Sequence, residues 1–552
     1  MTPPLVESNS LVTEQASNSA CPMSGSSGIT SNKAPQPHSH SEPPTKAFSL
    51  PPGLKHSLPW YAFKPWVKLG HPILLFEYLH RTFGNIACYK LFGTPIVFVN
   101  DPEYIREILV NQAPAFVKER TVRRMKVLLG EGLITSDDPI HIRQRRIAAP
   151  AFHRQRIAAY GDQIVACAAA QSEKWQHRAD PGAPIDIAAA SMELSLEIVA
   201  RTLFDTEVTE DIRRINDEVN TIMGLYNFIV AFPRIELFMH LPIPGIMKFR
   251  RSKARLDAVV DRLIREHKAA TAAGKPDPGD LLSMLLSSRD EQADAQGNHT
   301  GMSDDQVRDE VLTIFLAGYE TVANGLTWTW YLLSQNPEVE AKLHAELDAV
   351  LGIDEDLGAP SLDSETWDRT AADSGAPSIA PLPHAMGGNT ALDSNRRRTR
   401  RLPTLADYPN LKYTEQVFAE SMRLYPPAWA MGRMSTRHVQ LGKYLIPPGA
   451  HFFFSQYMMG RTEEYFPDPL KFDPDRFSAE NKARRPKFTY FPFGGGSRQC
   501  IGESFAWMEG VFSIATLAHR WRLSYAGTTP PEVQAKITLR PRDPLTMYLH
   551  PR

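Results

Sequence analysis

Cysteine is scarce, with four among 552 residues. Cys21, Cys88, Cys167 and Cys500 show neither metal-ligand spacing nor the framework of a disulfide scaffold. That scarcity suits a reducing compartment and leaves one cysteine free to do chemistry alone. Net charge is also lacking: 61 Lys and Arg against 62 Asp and Glu give −1. This excludes the basic excess of a nucleic-acid binder and the charge excess of a disordered chain. No run reaches the roughly 18 to 20 apolar residues of a membrane span. The N-terminus has no charged-then-apolar leader. With Glu7, Glu14 and Glu42 and no arginine before Arg81, it does not read as a transit peptide either. The expectation is a cytoplasmic protein with no membrane anchor and no nucleic-acid partner.

Residues 1–48 are rich in Ser, Pro, Asn and Thr and read as a disordered tail. From about 49 the chain is patterned. Ile73 to Leu79 predicts a short amphipathic helix, and Ile86–Leu91 with Ile96–Val99 predicts a hairpin around Gly93-Thr94-Pro95. Helices dominate from about 101 to 350. The clearest runs from Asp304 to Leu333, with Ser303 and Gln306 placed as a capping box, and is apolar on nearly all sides in its middle. A charged amphipathic helix follows at Pro337–Val350. Residues 353–401, rich in Gly, Ala, Pro, Asp and Ser and ending in the basic run Arg396–Arg401, read as a disordered surface insertion. Further helices are predicted at Tyr413–Tyr425 and Gly502–Arg520. Lys536–Leu539 and Leu545–Leu549 read as a hairpin turned at Pro541–Pro544. Strands at both ends with helices between give an α+β fold, mainly α.

Four segments carry chemistry. In Phe493-Gly494-Gly495-Gly496-Ser497-Arg498-Gln499-Cys500-Ile501-Gly502, three glycines permit close backbone approach to a flat ligand. The cysteine stands at the start of an apolar helix, where backbone N–H groups favour a thiolate. Arg498 is placed to pair with a carboxylate. Alone, the segment would be a turn before a helix with a structural cysteine. In Ala317-Gly318-Tyr319-Glu320-Thr321, Gly318 leaves room beside the buried helix and Thr321 can bond back to the Ala317 carbonyl. Glu320 is the ionisable group there, a candidate proton relay. Glu420 and Arg423 lie one turn apart and can pair. His141 and Arg145 share a helix face and could both grip a carboxylate.

Together these strings resemble the cytochrome P450 superfamily, in its soluble bacterial form, over about residue 50 to the C-terminus. Phe493, Gly496, Arg498, Cys500 and Gly502 match its haem-ligand signature, and Ala317 to Thr321 its oxygen-activation pattern. Arg476, in Phe472–Phe477, completes its Glu-Arg-Arg network with Glu420 and Arg423, to which a structural role is assigned. The resemblance implies haem b held by Cys500 as metal ligand, with Ala317, Gly318, Phe493, Arg498 and Gly502 at the cofactor. His141, Arg145 and Arg433 would contact the propionates, and Glu320 and Thr321 would be catalytic. It implies a long central helix over the haem, with small sheets towards the N-terminus and at the C-terminus.

The implied reaction inserts one oxygen atom of O2 into a lipophilic substrate, such as a fatty acid or terpenoid, while the other leaves as water. The pocket walls would include the 113–135 loop, Phe315, Ala317 and Ala428 to Met431. No flavin or iron–sulfur motif is present, so electrons come from a separate donor, a ferredoxin or flavodoxin with its reductase. Arg143, Arg146, Arg154, Arg156, Lys482, Arg484, Arg485 and Lys487 could form a basic face for it. A monomer is expected. The rival readings are a haem-thiolate peroxygenase, isomerase or dehydratase, and a non-enzymatic haem sensor.

Overall fold

The computed structural model describes residues 49–54, 72–91, 93–204, 218, 221–222, 241–275, 280–290, 300–352 and 400–552. The predicted tail, and 353–399 of the predicted insertion, lie outside the described residues.

A five-stranded sheet is built from segments far apart in sequence. Strands β1 (Ile86–Leu91) and β2 (Thr94–Val99) form the predicted hairpin, with Leu91 opposite Thr94. The sheet continues through β8 (His451–Phe454), parallel to β2, then β5 (Met431–Ser435) and β3 (Phe116–Lys118). Helix α1 (Pro72–Phe83) buries Ile73, Leu75, Phe76 and Leu79 beside it. Strands β6 (Val439–Leu441) and β7 (Tyr444–Ile446) form a separate pair.

The larger part is helical. Helices α2 (Ile140–Ala148), α3 (Arg154–Gln176), α4 (Ile187–Phe204) and α5 (Pro244–Ala272) precede α6 (Asp304–Gln335). The capping box that starts α6 is present, with Ser303 Oγ accepting from Gln306 N at 3.2 Å and Gln306 Oε1 accepting from Ser303 N at 3.1 Å. Helix α7 (Pro337–Leu351) follows, then α8 (Lys412–Leu424) and α9 (Glu503–Ala518). Three of these meet at one ring. Phe418 of α8 lies where Gly325 of α6 and Gly510 of α9 have no side chain; a Cβ on Gly510 would stand 2.2 Å from the ring.

Glu420 and Arg423 on α8 are both fully buried. Arg423 donates twice to the Glu420 carboxylate, at 2.6 and 2.7 Å, and to the carbonyls of Gly460, Pro469 and Lys471. All five guanidinium N–H groups are thereby used. Glu420 also accepts from Asp473 N at 2.9 Å. Arg476, the third member, stands 3.5 Å from Glu420 and bonds instead to the Asp468 carbonyl. It is an ion-pair partner, not a second clamp.

The C-terminus differs from the sequence expectation. Lys536–Leu539 and Leu545–Leu549 do not pair. Instead β10 (Val533–Ala535) pairs with β11 (Leu539–Pro541), while β12 (Thr546–Pro551) lies between β9 (Trp521–Tyr525) and β4 (Ile185–Asp186). Pro541 and Pro544 cannot donate to a ladder. They move the chain from one sheet to another instead of turning it back. Arg400 and Arg401, read as the end of the insertion, belong to the fold. Arg401 N donates to Leu351 O at 3.1 Å, and its guanidinium grips Asp407 at 2.6 and 2.7 Å. That contact holds the Asp407 carboxyl down at about 2. Arg400 donates to the Arg552 carbonyl.

Two outcomes follow. Arg423→Leu strands the Glu420 carboxylate in the interior and should cost about 3–5 kcal/mol in urea denaturation; a loss under about 1 kcal/mol would contradict the buried-clamp reading. Replacing 354–398 by a short Gly/Ser linker should preserve cooperative unfolding, because Leu351 and Arg401 already close the ends. The shorter loop should favour the folded chain by at most about 2 kcal/mol. Loss of the unfolding transition would mean that the fold needs the segment.

Candidate functional site

The loop before α9 is shaped by glycine. Gly496 has φ +72°, and a Cβ there would lie 2.0 Å from the Leu109 carbonyl oxygen. Cys500 N donates to Phe493 O at 2.9 Å, so Phe493 holds the cysteine in place through its backbone. The Phe493 ring packs 5.7 Å from that of Trp507 on α9. Helix α9 starts at Glu503 with Gly502 as its cap, placing Cys500 two residues before the cap. Its side chain is accessible, whereas Cys88 and Cys167 are buried.

Yet burial pushes the Cys500 thiol up to about 11, against the pull of the Gly502 backbone N–H; Glu503 adds to the rise and Arg145 opposes it. The sulfur is thus accessible yet closely surrounded by protein atoms. Desolvation works against the thiolate that the helix terminus favours. A bound metal cation would deprotonate the thiol outright.

Cations gather on one side of this loop. Lys118 of β3 and Arg433 of β5 are register partners on antiparallel strands. Like charges opposite each other destabilise a sheet unless an anion joins them. Arg498 donates to Ser136 O at 3.0 Å and pairs with Asp138 at 3.1 Å. His141 is buried, with Nδ1 3.3 Å from Asp138 and no hydrogen bond made. Burial, then Arg433 and Arg498, hold the Lys118 ammonium well below its usual range. Burial and Arg498 lower Arg433 to about 10, and burial, Arg498 and Lys118 lower His141 to about 4. Asp137 and Asp138 are the acids facing them. This donor set fits a ligand carrying carboxylates.

Lys118 was not singled out from sequence, since its partner became visible only with the strand register. Arg145 also bears on His141, lowering its proton affinity. It shares a helix face with His141 and donates to the Gln499 carbonyl at 2.6 Å, beside Cys500.

Helix α6 packs against α9, the helix that follows the cysteine loop. From Glu310 to Leu333 every residue is buried except Ala317, Gly318 and Thr321. These three fall within four residues of each other, as one accessible patch on an interior helix. Thr321 Oγ donates to Ala317 O at 2.8 Å, as anticipated. Glu320 is buried and accepts from Thr538 Oγ at 2.6 Å. Burial raises its proton affinity, opposed by Thr538, Arg540 and Lys536.

The expected basic face is partly neutralised. Arg143 donates to the Thr300 and Gly301 carbonyls, Arg146 pairs with Asp290, Lys482 with Glu415 and Arg484 with Glu480. Arg485 stacks over the Phe477 ring at 4.4 Å. Among the described residues no helix is long and apolar enough to cross a membrane.

Comparison with known proteins gives one answer. The cytochrome P450 family model matches residues 51–364 and 390–547. Cyclooctatin synthase of Streptomyces melanosporofaciens is 33% identical, over 85% of this chain and 89% of its own. Cyclooctat-9-en-7-ol 5-monooxygenase of the same organism is 32% identical, over 81% and 84%. Pentalenene oxygenase of Streptomyces avermitilis is 29% identical, over 88% and 92%. The haem domain of cytochrome P450DA has the same fold, with a TM-score of 0.73 at 21% identity, covering 92% of this chain and 99% of its own. The chain belongs to the cytochrome P450 family, and it is a haem b-dependent monooxygenase.

Proposed function

We propose that this protein hydroxylates a cyclic terpenoid, with Cys500 as the thiolate ligand of haem and with electrons from a separate ferredoxin or flavodoxin. The observation that carries the reading is the accessible patch Ala317, Gly318 and Thr321 within an otherwise buried stretch of α6, standing with the accessible Cys500.

Bound haem supplies the dioxygen activation that side chains cannot perform, and a thiolate ligand promotes it. The chain's own part is to bind, orient and move protons. Lys118, His141, Arg433 and Arg498 would take the propionates, exchanging mutual repulsion for charge-assisted hydrogen bonds. Arg145, on the Gln499 carbonyl, fixes the residue before the ligand. Thr321 keeps its hydroxyl at the accessible face by bonding back to Ala317. Glu320, one residue away, is buried, and burial raises its proton affinity. A carboxyl whose proton affinity lies nearer neutrality is better matched to proton transfer at pH 7.

The patch offers a methyl, a glycine and a hydroxyl, with no charge to anchor a fatty-acid carboxylate. That suits a hydrocarbon ring system, and the similarity to enzymes named for cyclooctatin and pentalenene points the same way. Four of the eight candidate docking cations, Arg143, Arg146, Lys482 and Arg484, have acid partners within the chain, which weakens long-range attraction to a donor.

Two measurements test this. With carbon monoxide on the reduced protein, the red-shifted Soret band of thiolate ligation should appear, vanish in Cys500→Ser, and persist in Cys88→Ser and Cys167→Ser. Persistence in Cys500→Ser would overturn the ligand assignment. In spin-state titrations, cyclic di- and sesquiterpenes should bind about tenfold more tightly than fatty acids of equal carbon number, a difference of about 1.4 kcal/mol. Equal or reversed affinities would remove the terpenoid assignment.

A further inference from the structure

The C-terminal hairpin carries a buried hydroxyl that none of these steps uses. Thr538 lies in the turn between β10 and β11. Its Oγ donates to Glu320 Oε1 at 2.6 Å and accepts from Asn324 Nδ2 at 3.3 Å. The Asn324 amide also donates to the Glu320 backbone carbonyl at 2.9 Å. Glu320 and Asn324 are one helical turn apart, so a single face of α6 meets the hairpin.

The turn is held from several directions. Trp429 Nε1 donates to Lys536 O at 2.8 Å, Trp328 Nε1 to Leu539 O at 3.2 Å, and Leu539 N to Pro427 O at 2.9 Å. Thr538 is therefore presented to the carboxyl at a fixed place. The residue type matters. A lysine would keep Glu320 charged, and a valine would leave it unpaired. A hydroxyl can donate to a carboxylate or accept from a carboxylic acid, and so serves both protonation states. Asn324, donating to the same oxygen, turns the hydroxyl hydrogen towards Glu320. The charged groups facing Glu320 are Arg540 and Lys536, both on the hairpin and partly accessible, and its titratable neighbour on α6 is Tyr319.

We propose that Thr538 is a positioning residue for proton delivery, holding the Glu320 carboxyl towards the hairpin in a state that can both take up and release a proton. The proposal rests on the role given to Glu320 above. Burial favours the protonated carboxyl, and the Thr538 bond is the largest influence opposing it. Without that bond Glu320 holds its proton more tightly. The pH dependence of coupling, read as product formed per NADPH, therefore moves upward.

The test compares Thr538→Val, Thr538→Ser and Glu320→Gln. Thr538→Val should shift the pH of half-maximal coupling upward by about 0.5–1 unit, the equivalent of one ordinary hydrogen bond. It should also divert more electrons to peroxide at neutral pH. Thr538→Ser should restore both. In the resting protein, the infrared C=O stretch of protonated Glu320, identified by its loss in Glu320→Gln, should move to higher frequency in Thr538→Val and return in Thr538→Ser.

If the valine variant does not assemble, Thr538→Cys, a weaker donor, should show both shifts in smaller measure. An unchanged pH profile and infrared band in the valine or cysteine variant would overturn the proposal. So would a serine variant as impaired as the valine one, which would mark a packing role. Full coupling in Glu320→Gln would instead overturn the role of Glu320 itself.

Discussion

One guanidinium holds much of the molecule in register. Arg423 is buried, and each of its five N–H groups has an acceptor. Two bonds go to Glu420, on its own helix. The other three reach the carbonyls of Gly460, Pro469 and Lys471, in irregular backbone that would otherwise need water. Through Asp473 N, Glu420 binds the same stretch from its other side. The pair is not there for net energy, since desolvating two charges consumes most of their attraction. It specifies geometry: a loop without secondary structure acquires fixed coordinates relative to α8, and the segment leading to Cys500 departs from that loop.

The binding side is arranged on the opposite principle. Around Arg423 every charge is answered, whereas Lys118, Arg433, Arg498 and His141 are gathered faster than acids are supplied. The cross-strand pairing of Lys118 with Arg433 is unfavourable in isolation. Such an arrangement stores repulsion that a dianionic ligand relieves. Selectivity for a carboxylate-bearing cofactor then comes partly from the sheet register, which no change of loop length disturbs.

How much of this was legible in the sequence depended on the range of each interaction. The capping box at Ser303, the Thr321 back-bond and the Glu420–Arg423 pair are contacts within four residues, and helical periodicity alone specifies them. The cysteine loop was legible because its residue types are dictated by backbone geometry. Long-range partners were not. Lys118 acquires its meaning only opposite Arg433, more than 300 positions later. The Thr538 contact with Glu320 depends on a hairpin whose strands the sequence pattern paired wrongly, because two prolines that mark a change of sheet read equally well as a turn. Arg145 shows the limit of face-sharing arguments: helix periodicity places it beside His141 but does not reveal its bond to the Gln499 carbonyl.

The Phe418 ring, seated between Gly325 and Gly510, acts as a gauge block. One neighbouring helix bears Thr321 and the other follows the cysteine loop, so the ring's thickness sets the spacing of α6 and α9 where they pack. Neither glycine leaves slack for a wider or narrower setting. Side chains elsewhere on the two helices can therefore change while the spacing of their backbones stays constant.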